Sequence, residues 1–123
     1  LTSLIDTPAP ETMVVKRSAV SPVLGSDGLL RIYPVFPFDA EKGFEVINLE
    51  LAPGAHSPSE PHAEGTEEYL MVLEGQMHIT AGPHTYDLEA GDAIRYRADQ
   101  PHAYFRTTED SKLTKACMVI VYG

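Results

Sequence analysis

Turn-forming residues punctuate this chain so regularly that no long helix fits between them. They fall at Ser21 to Gly28, Asp39 to Gly43, Pro53-Gly54, Gly65, Gly75, Gly82-Pro83, Ala90-Gly91-Asp92 and Ala98 to Pro101. Glycine, proline and short polar residues in such clusters end regular structure. Between them lie short segments rich in β-branched, aliphatic and aromatic residues: Met13 to Arg17, Leu29 to Tyr33, Phe44 to Leu51, the run up to Gly75, Gln76 to Ala81, Thr85 to Leu88, Ala93 to Arg97, His102 to Thr107 and Leu113 to Tyr122. Thr108 to Ser111 reads as a polar hairpin joining the last two. Short strands with turns about every eight to twelve residues predict an all-β barrel or jelly roll. After residue 12 no amphipathic helical period is found.

Details of that pattern make further expectations. The prolines of Y-P-V-F-P-F, from Tyr33, restrict the second strand to an edge or a bend. In F-E-V-I-N-L-E-L, from Phe44, the apolar phase slips near Ile47-Asn48, which predicts a bulge. Leu1 to Glu11 holds two prolines that force an extended path. Residues 1–12 therefore read as a linker, and 13–123 as one domain.

Composition narrows the function classes. With 123 residues the chain is large enough to bury a core without staples. Its net charge of -9 makes it a poor nucleic-acid binder by itself, because such binding rests on lysine and arginine neutralising phosphates. The single cysteine, Cys117, excludes a disulfide framework, favours a reducing cytoplasmic setting, and reads as inert core in A-C-M-V-I-V. No apolar run reaches the length of a membrane span. Leu1, in place of Met, suggests a processed product or a fragment.

Chemistry concentrates between Leu51 and Gly75, where Glu60, His62, Glu67 and Glu68 stand between a Pro-Gly turn and an apolar strand. Imidazole and carboxylate together are a usual ligand mix for a divalent metal with an open position. Fully extended, His62 and Glu68 would sit roughly 20 Å apart, so Ala63 to Thr66 must fold back, with Gly65 permitting the turn. Beyond it, Glu68, Leu70 and Val72 share one strand face, and Tyr69, Met71 and Leu73 the other. Both faces are apolar, which predicts burial on both sides or a place in a closed sheet. His102, after Pro101 at a strand entry, is the third candidate ligand. Tyr104 and Arg106 share its face and are expected at the pocket mouth. Glu60, on the parity of His62, is a further candidate contact for a ligand. His56, His78 and His84 read as surface residues.

These spacings resemble the cupin family, a double-stranded β-helix with a metal or ligand site inside the barrel. From Gly54, five residues lead to Glu60, then Pro61 and His62, five more to Glu68 and six more to Gly75. The family's first motif has histidine where Glu60 stands, and a gap before the glutamate shorter by one. Glu67 would mend that gap but break the spacing to Gly75; Glu68 keeps the inward register. From Gly91 the second motif gives Arg97, Asp99, His102 and Arg106, where the family has Pro, Gly, His and Asn. The resemblance implies a divalent metal on His62, Glu68 and His102, but not the four-ligand site of the family's dioxygenases.

A narrower resemblance lies in V-L-G-S-D-G-L-L-R-I, Y-P-V-F-P-F-D, P-H-A-E-G-T-E-E-Y and D-Q-P-H-A-Y. These phrases are similar to bacterial regulators that join a helix-turn-helix domain of the lambda-repressor type to a C-terminal cupin sensor. Leu1 to Ile5 would then be the remnant of the DNA-binding domain's end. This implies a homodimeric domain that senses a small molecule and reaches DNA only through a preceding domain. A divalent metal on two imidazoles and one carboxylate keeps a net positive charge, to which Arg106 adds a second cation if it points inward, and such a pocket favours a carboxylate-bearing molecule. Met13 to Arg17 and Leu29 to Tyr33 are the expected interface strands. The alternative is a small metal-dependent enzyme, a dioxygenase, isomerase or lyase, using the same three ligands.

Overall fold

The computed structural model describes residues 11–107 and 112–123. The expected remnant Leu1 to Ile5, most of the linker and the hairpin Thr108 to Ser111 lie outside the described residues. Ten strands follow in order: β1 (Val23–Gly25), β2 (Leu30–Asp39), β3 (Phe44–Leu51), β4 (His56–Ser59), β5 (Glu67–Glu74), β6 (Gln76–Ala81), β7 (His84–Glu89), β8 (Ala93–Arg97), β9 (His102–Phe105) and β10 (Thr114–Val121). The described residues contain no α-helix, only 3-10 turns at Arg17–Ala19 and Ser26–Gly28.

The strands form a six-stranded sheet, ordered β1-β2-β3-β10-β5-β8, and a four-stranded sheet, ordered β4-β9-β6-β7. All strand pairings among the described residues are antiparallel. The two sheets pack as a jelly roll without hydrogen-bonded closure into one barrel. Alternation decides what lies between them: Leu49 and Leu51 of β3, Leu70 and Val72 of β5, Met77 and Ile79 of β6 and Met118 of β10 are all nearly inaccessible. Each such side chain contributes about 1.5–3 kcal/mol by leaving water. Gly75 makes the β5–β6 turn at φ 78°, and a Cβ there would meet Thr114 Oγ1 at 2.7 Å. Only glycine fits that corner.

Several expectations need correction. Met13 to Lys16 forms no strand and runs exposed into the first 3-10 turn, because no neighbour supplies a ladder. The predicted loop Ser21 to Gly28 contains β1, which pairs with the start of β2. β2 runs on through both prolines; past Ile32 its ladder is with β3 alone, so the prolines' missing N–H groups face no strand. The register shifts lie there, between Pro34 and Phe36 and between Phe36 and Asp39, whereas the register of β3 with β10 is unbroken. Ile47, Leu49 and Leu51 therefore share the inner face, and Phe44 and Val46 the outer. β5 is buried on one face only: Tyr69, Met71 and Leu73 are 41, 51 and 54 % exposed. Cys117 lies on that same outer face rather than in the core, and its partial burial pushes the thiol pKa up.

Candidate metal centre

Three strand ends and one turn assemble the site. Gly65, at φ 86°, reverses the chain, and Thr66 N–H donates to the Ala63 carbonyl at 3.1 Å. His62 N–H donates to the Ala98 carbonyl at 2.8 Å, and Ala98 N–H to the Thr66 carbonyl at 2.8 Å, tying the turn to the segment before β9. The turn is held further by Gly65 N–H donating to Asp99 Oδ2 at 2.9 Å. His62 is thereby folded back over the head of β5, while His102 enters from the opposite sheet.

The result is a compact donor set. His62 Nε2 lies 3.1 Å and His102 Nε2 3.5 Å from Glu68 Oε2, and one donor atom from each residue falls within 4.8 Å of the others. A tetrahedral ion held at about 2.1 Å would space its donors by about 3.4 Å, so these residues fit a divalent metal with little rotation. The orienting contacts fit as well. His102 Nδ1 pairs with the Gln100 carbonyl at 2.8 Å, which leaves Nε2 for the site. Tyr96, opposite Glu68 in the β5–β8 register, donates its hydroxyl to Glu68 Oε1. Glu68 and His102 are buried, whereas the His62 side chain is 31 % exposed and marks the open side.

Charge states follow from these contacts. Burial pushes the Glu68 carboxyl up, but hydrogen bonds from His102 and Tyr96, with the charges of His102 and His62, outweigh it and hold the pKa below the usual range. Burial pushes His102 down, and the Glu68 and Gln100 hydrogen bonds with the Glu68 charge overcome that and raise it. Burial and the Glu68 charge raise Tyr96 far above the ordinary phenol range, so its hydroxyl remains a donor at neutral pH.

Beside the cluster is a cavity of about 260 Å³. Its apolar wall comes from Val23, Ile32, Ile47, Met118 and Ile120, and its polar side from Glu45, Ser59, Tyr104 and the three metal candidates. Tyr104 lines this cavity, and its hydroxyl interacts with Ser57. Arg106, expected at the pocket mouth, does not line it. It shares the inward parity of His102 and Tyr104 but lies at the other end of the sandwich, where its guanidinium donates to the carbonyls of Leu51 (3.4 Å) and Lys112 and to Thr114 Oγ1 (3.1 Å). Thr114 opens β10 whereas Glu68 pairs with Ile120, six residues along and about 20 Å away. Glu60 is exposed and borders an outer hollow that shares Ser59 and His102 with the cavity. It does not line the cavity itself, because β4 ends at Ser59 and its alternation turns Ser59 inward instead. Tyr96, Ser59 and Glu45 are not among the residues the sequence motifs point to; the inward alternation of β8, β4 and β3 is the signal that marks them. His56 and His84 are exposed, as expected of surface residues, and His78 pairs with Asp87 at 2.6 Å.

Comparison with known proteins bears on the same segments. The profile of the Cupin_2 family, described as Cupin domain, matches residues 48–120. The Escherichia coli K12 protein HTH-type transcriptional regulator SutR is 34% identical over 73 residues, 59% of this chain and 41% of that one. An HTH_3 family transcriptional regulator from Vibrio cholerae superposes with TM-score 0.72 at 33% identity, over 79% of this chain and 53% of that one. The Cupin_2 domain of an XRE family transcriptional regulator from Enterobacter cloacae superposes with TM-score 0.71 at 30% identity, over 77% of this chain and 98% of that one. The chain therefore spans about half or less of the length of the two longer relatives.

Proposed function

The chain belongs to the cupin domain family, and from that premise we propose that it is the effector-sensing domain of a helix-turn-helix regulator. It binds a divalent metal on His62, Glu68 and His102 and a small carboxylate-bearing metabolite in the adjoining cavity. One observation carries this reading: the three donor residues line a partly open, mostly apolar cavity, in a chain whose relatives are regulators of this type. Two imidazoles and one carboxylate leave a divalent ion a net positive charge and an open position. A carboxylate suits that position, and the aliphatic walls suit a short hydrocarbon remainder. The metal would supply Lewis acidity; Tyr104 would orient the ligand.

Binding would favour one arrangement of this domain relative to a preceding DNA-binding domain. The domain itself, at net charge -9, makes no phosphate contacts of consequence, and it works in the cytoplasm. Among the described residues no helix is long and apolar enough to cross a membrane.

The domain works as a homodimer, and the outer face of the six-stranded sheet is the surface that pairs. Tyr69, Met71, Leu73 and Val119 line an open apolar groove there. Its rim carries Glu67 beside Arg95 (3.8 Å) and Glu74 beside Lys115 (3.5 Å). Two strongly acidic chains approach with least repulsion where charges are already balanced, which favours a second copy over an acidic partner.

The test of the sensor is calorimetric titration of the chain with Zn²⁺, then of the zinc-loaded chain with small carboxylates, followed by analysis of the incubated mixture. Saturable binding lost in His62→Ala, with the carboxylate recovered unchanged, is expected. No binding of Zn²⁺ sinks the metal, and conversion of the carboxylate moves the assignment to an enzyme.

A further inference from the structure

Resting on the metal-and-carboxylate reading above, we propose that Glu45 makes the site selective for small zwitterionic ligands that carry a terminal ammonium group at the end opposite the carboxylate. Simple organic acids would bind less well. The argument starts from register. Glu45 pairs with Ile120 across β3 and β10, and Ile120 pairs with Glu68 across β10 and β5. Aligned residues share a face, so Glu45 points inward in one row with Glu68, two strand spacings or about 10 Å away between Cα atoms.

On this face β3 otherwise presents Ile47, Leu49 and Leu51, all buried. A carboxylate on an apolar face calls for a partner. Among the described residues no lysine, arginine or histidine forms an ion pair with Glu45. Its carboxylate interacts with the hydroxyl of Tyr122, whose ring meets the ring of His62 edge-on, with centroids 6.1 Å apart. Glu45 also lines the same cavity as the three metal candidates. The cavity thus has a metal-binding pole and an anionic pole separated by Ile120 and Met118. A ligand filling both presents an acid to one pole and a cation to the other, with a short aliphatic chain between. An ammonium pairing with Glu45, opposite charge to opposite charge, then replaces its interaction with the uncharged Tyr122 hydroxyl.

The experiment compares affinities of the zinc-loaded chain for β-alanine and γ-aminobutyrate with those for propionate and butyrate, which differ in the ammonium group. The amino acids should bind about tenfold or more tightly, the range expected of one hydrogen bond to a charged group. In Glu45→Gln that preference should collapse while the two plain acids bind as before, which also shows that the variant is folded. Glu45→Asp should keep part of the preference. Equal binding of both series by the unaltered chain, or a preference that survives in Glu45→Gln, overturns this inference and leaves the carboxylate reading standing. Failure of all four to bind the zinc-loaded chain removes both.

Discussion

Tyr96 donates its hydroxyl to Glu68 Oε1 from directly across the β5–β8 ladder, so that Glu68 Oε2 is the oxygen left facing both His62 and His102. The tyrosine positions Glu68 without itself supplying a donor atom to the cluster. In Tyr96→Phe the three donors remain, but the carboxylate is free to rotate. Zinc affinity measured by competition with a chelator should fall by about 10- to 100-fold, the cost common for a lost orienting partner. The metal-free protein should lose about 1–3 kcal/mol in denaturant unfolding, because a buried acceptor is left unmade. An unchanged zinc affinity would show that the carboxylate needs no such support.

Metal and ligand should stabilise the folded chain together. A carboxylate present at a hundredfold excess over its dissociation constant adds about 2.7 kcal/mol. In a domain of this size that raises the melting temperature by roughly 10 °C. The shift should vanish on chelation and in His62→Ala, whose side chain lies at the open side and whose removal leaves the buried core intact. A shift that persists after chelation would place the ligand elsewhere.

How much of this was legible before the fold was known depends on what alternation can and cannot say. It gave the face of Glu68, Leu70 and Val72, and Gly65 gave the reversal that lets His62 meet them. Alternation is silent about depth. Arg106 has the parity of His102, yet its four-residue offset along the same direction carries it to the Thr114 end of the sandwich. It is also silent where a strand stops, which is why Ser59 and not Glu60 faces the cavity. Nor does apolar character on both faces of β5 require burial of both, since an outer face can remain open to a partner. Met13 to Arg17 had strand-like residues but no ladder to join; propensity without pairing is a weak signal.

Acid should loosen the turn that carries His62. The Arg97 guanidinium and the Gly65 amide beside Asp99 hold its carboxyl down at about 2, against an ordinary 3.8. A depressed carboxyl contributes stability that is complete above the unfolded value and disappears as pH falls through the folded one. The difference in stability between the unaltered chain and Asp99→Ala should therefore be steady above pH about 4 and shrink to nothing towards pH 2. Chemical unfolding at a series of pH values reads this directly. A difference that stays constant down to pH 2 would mean that the charge of Asp99 is not what ties the turn.

The outer face of the six-stranded sheet supplies the last prediction. Tyr69 and Met71 of β5 stand beside Val119 and Cys117 of β10, pair by pair in register, and the groove they line is open. Exposed apolar surface of this kind, with a rim of balanced charge, marks an interaction site. In a two-fold pair each substitution enters the interface twice. Met71→Glu should put a charge on the apolar face of both copies and give a monomer by light scattering at tens of micromolar, while the unaltered chain is a dimer. Because Met71 points away from the cavity, zinc affinity of the variant should be unchanged, which separates loss of pairing from misfolding. If the unaltered chain is monomeric under those conditions, the groove does not pair two copies by itself.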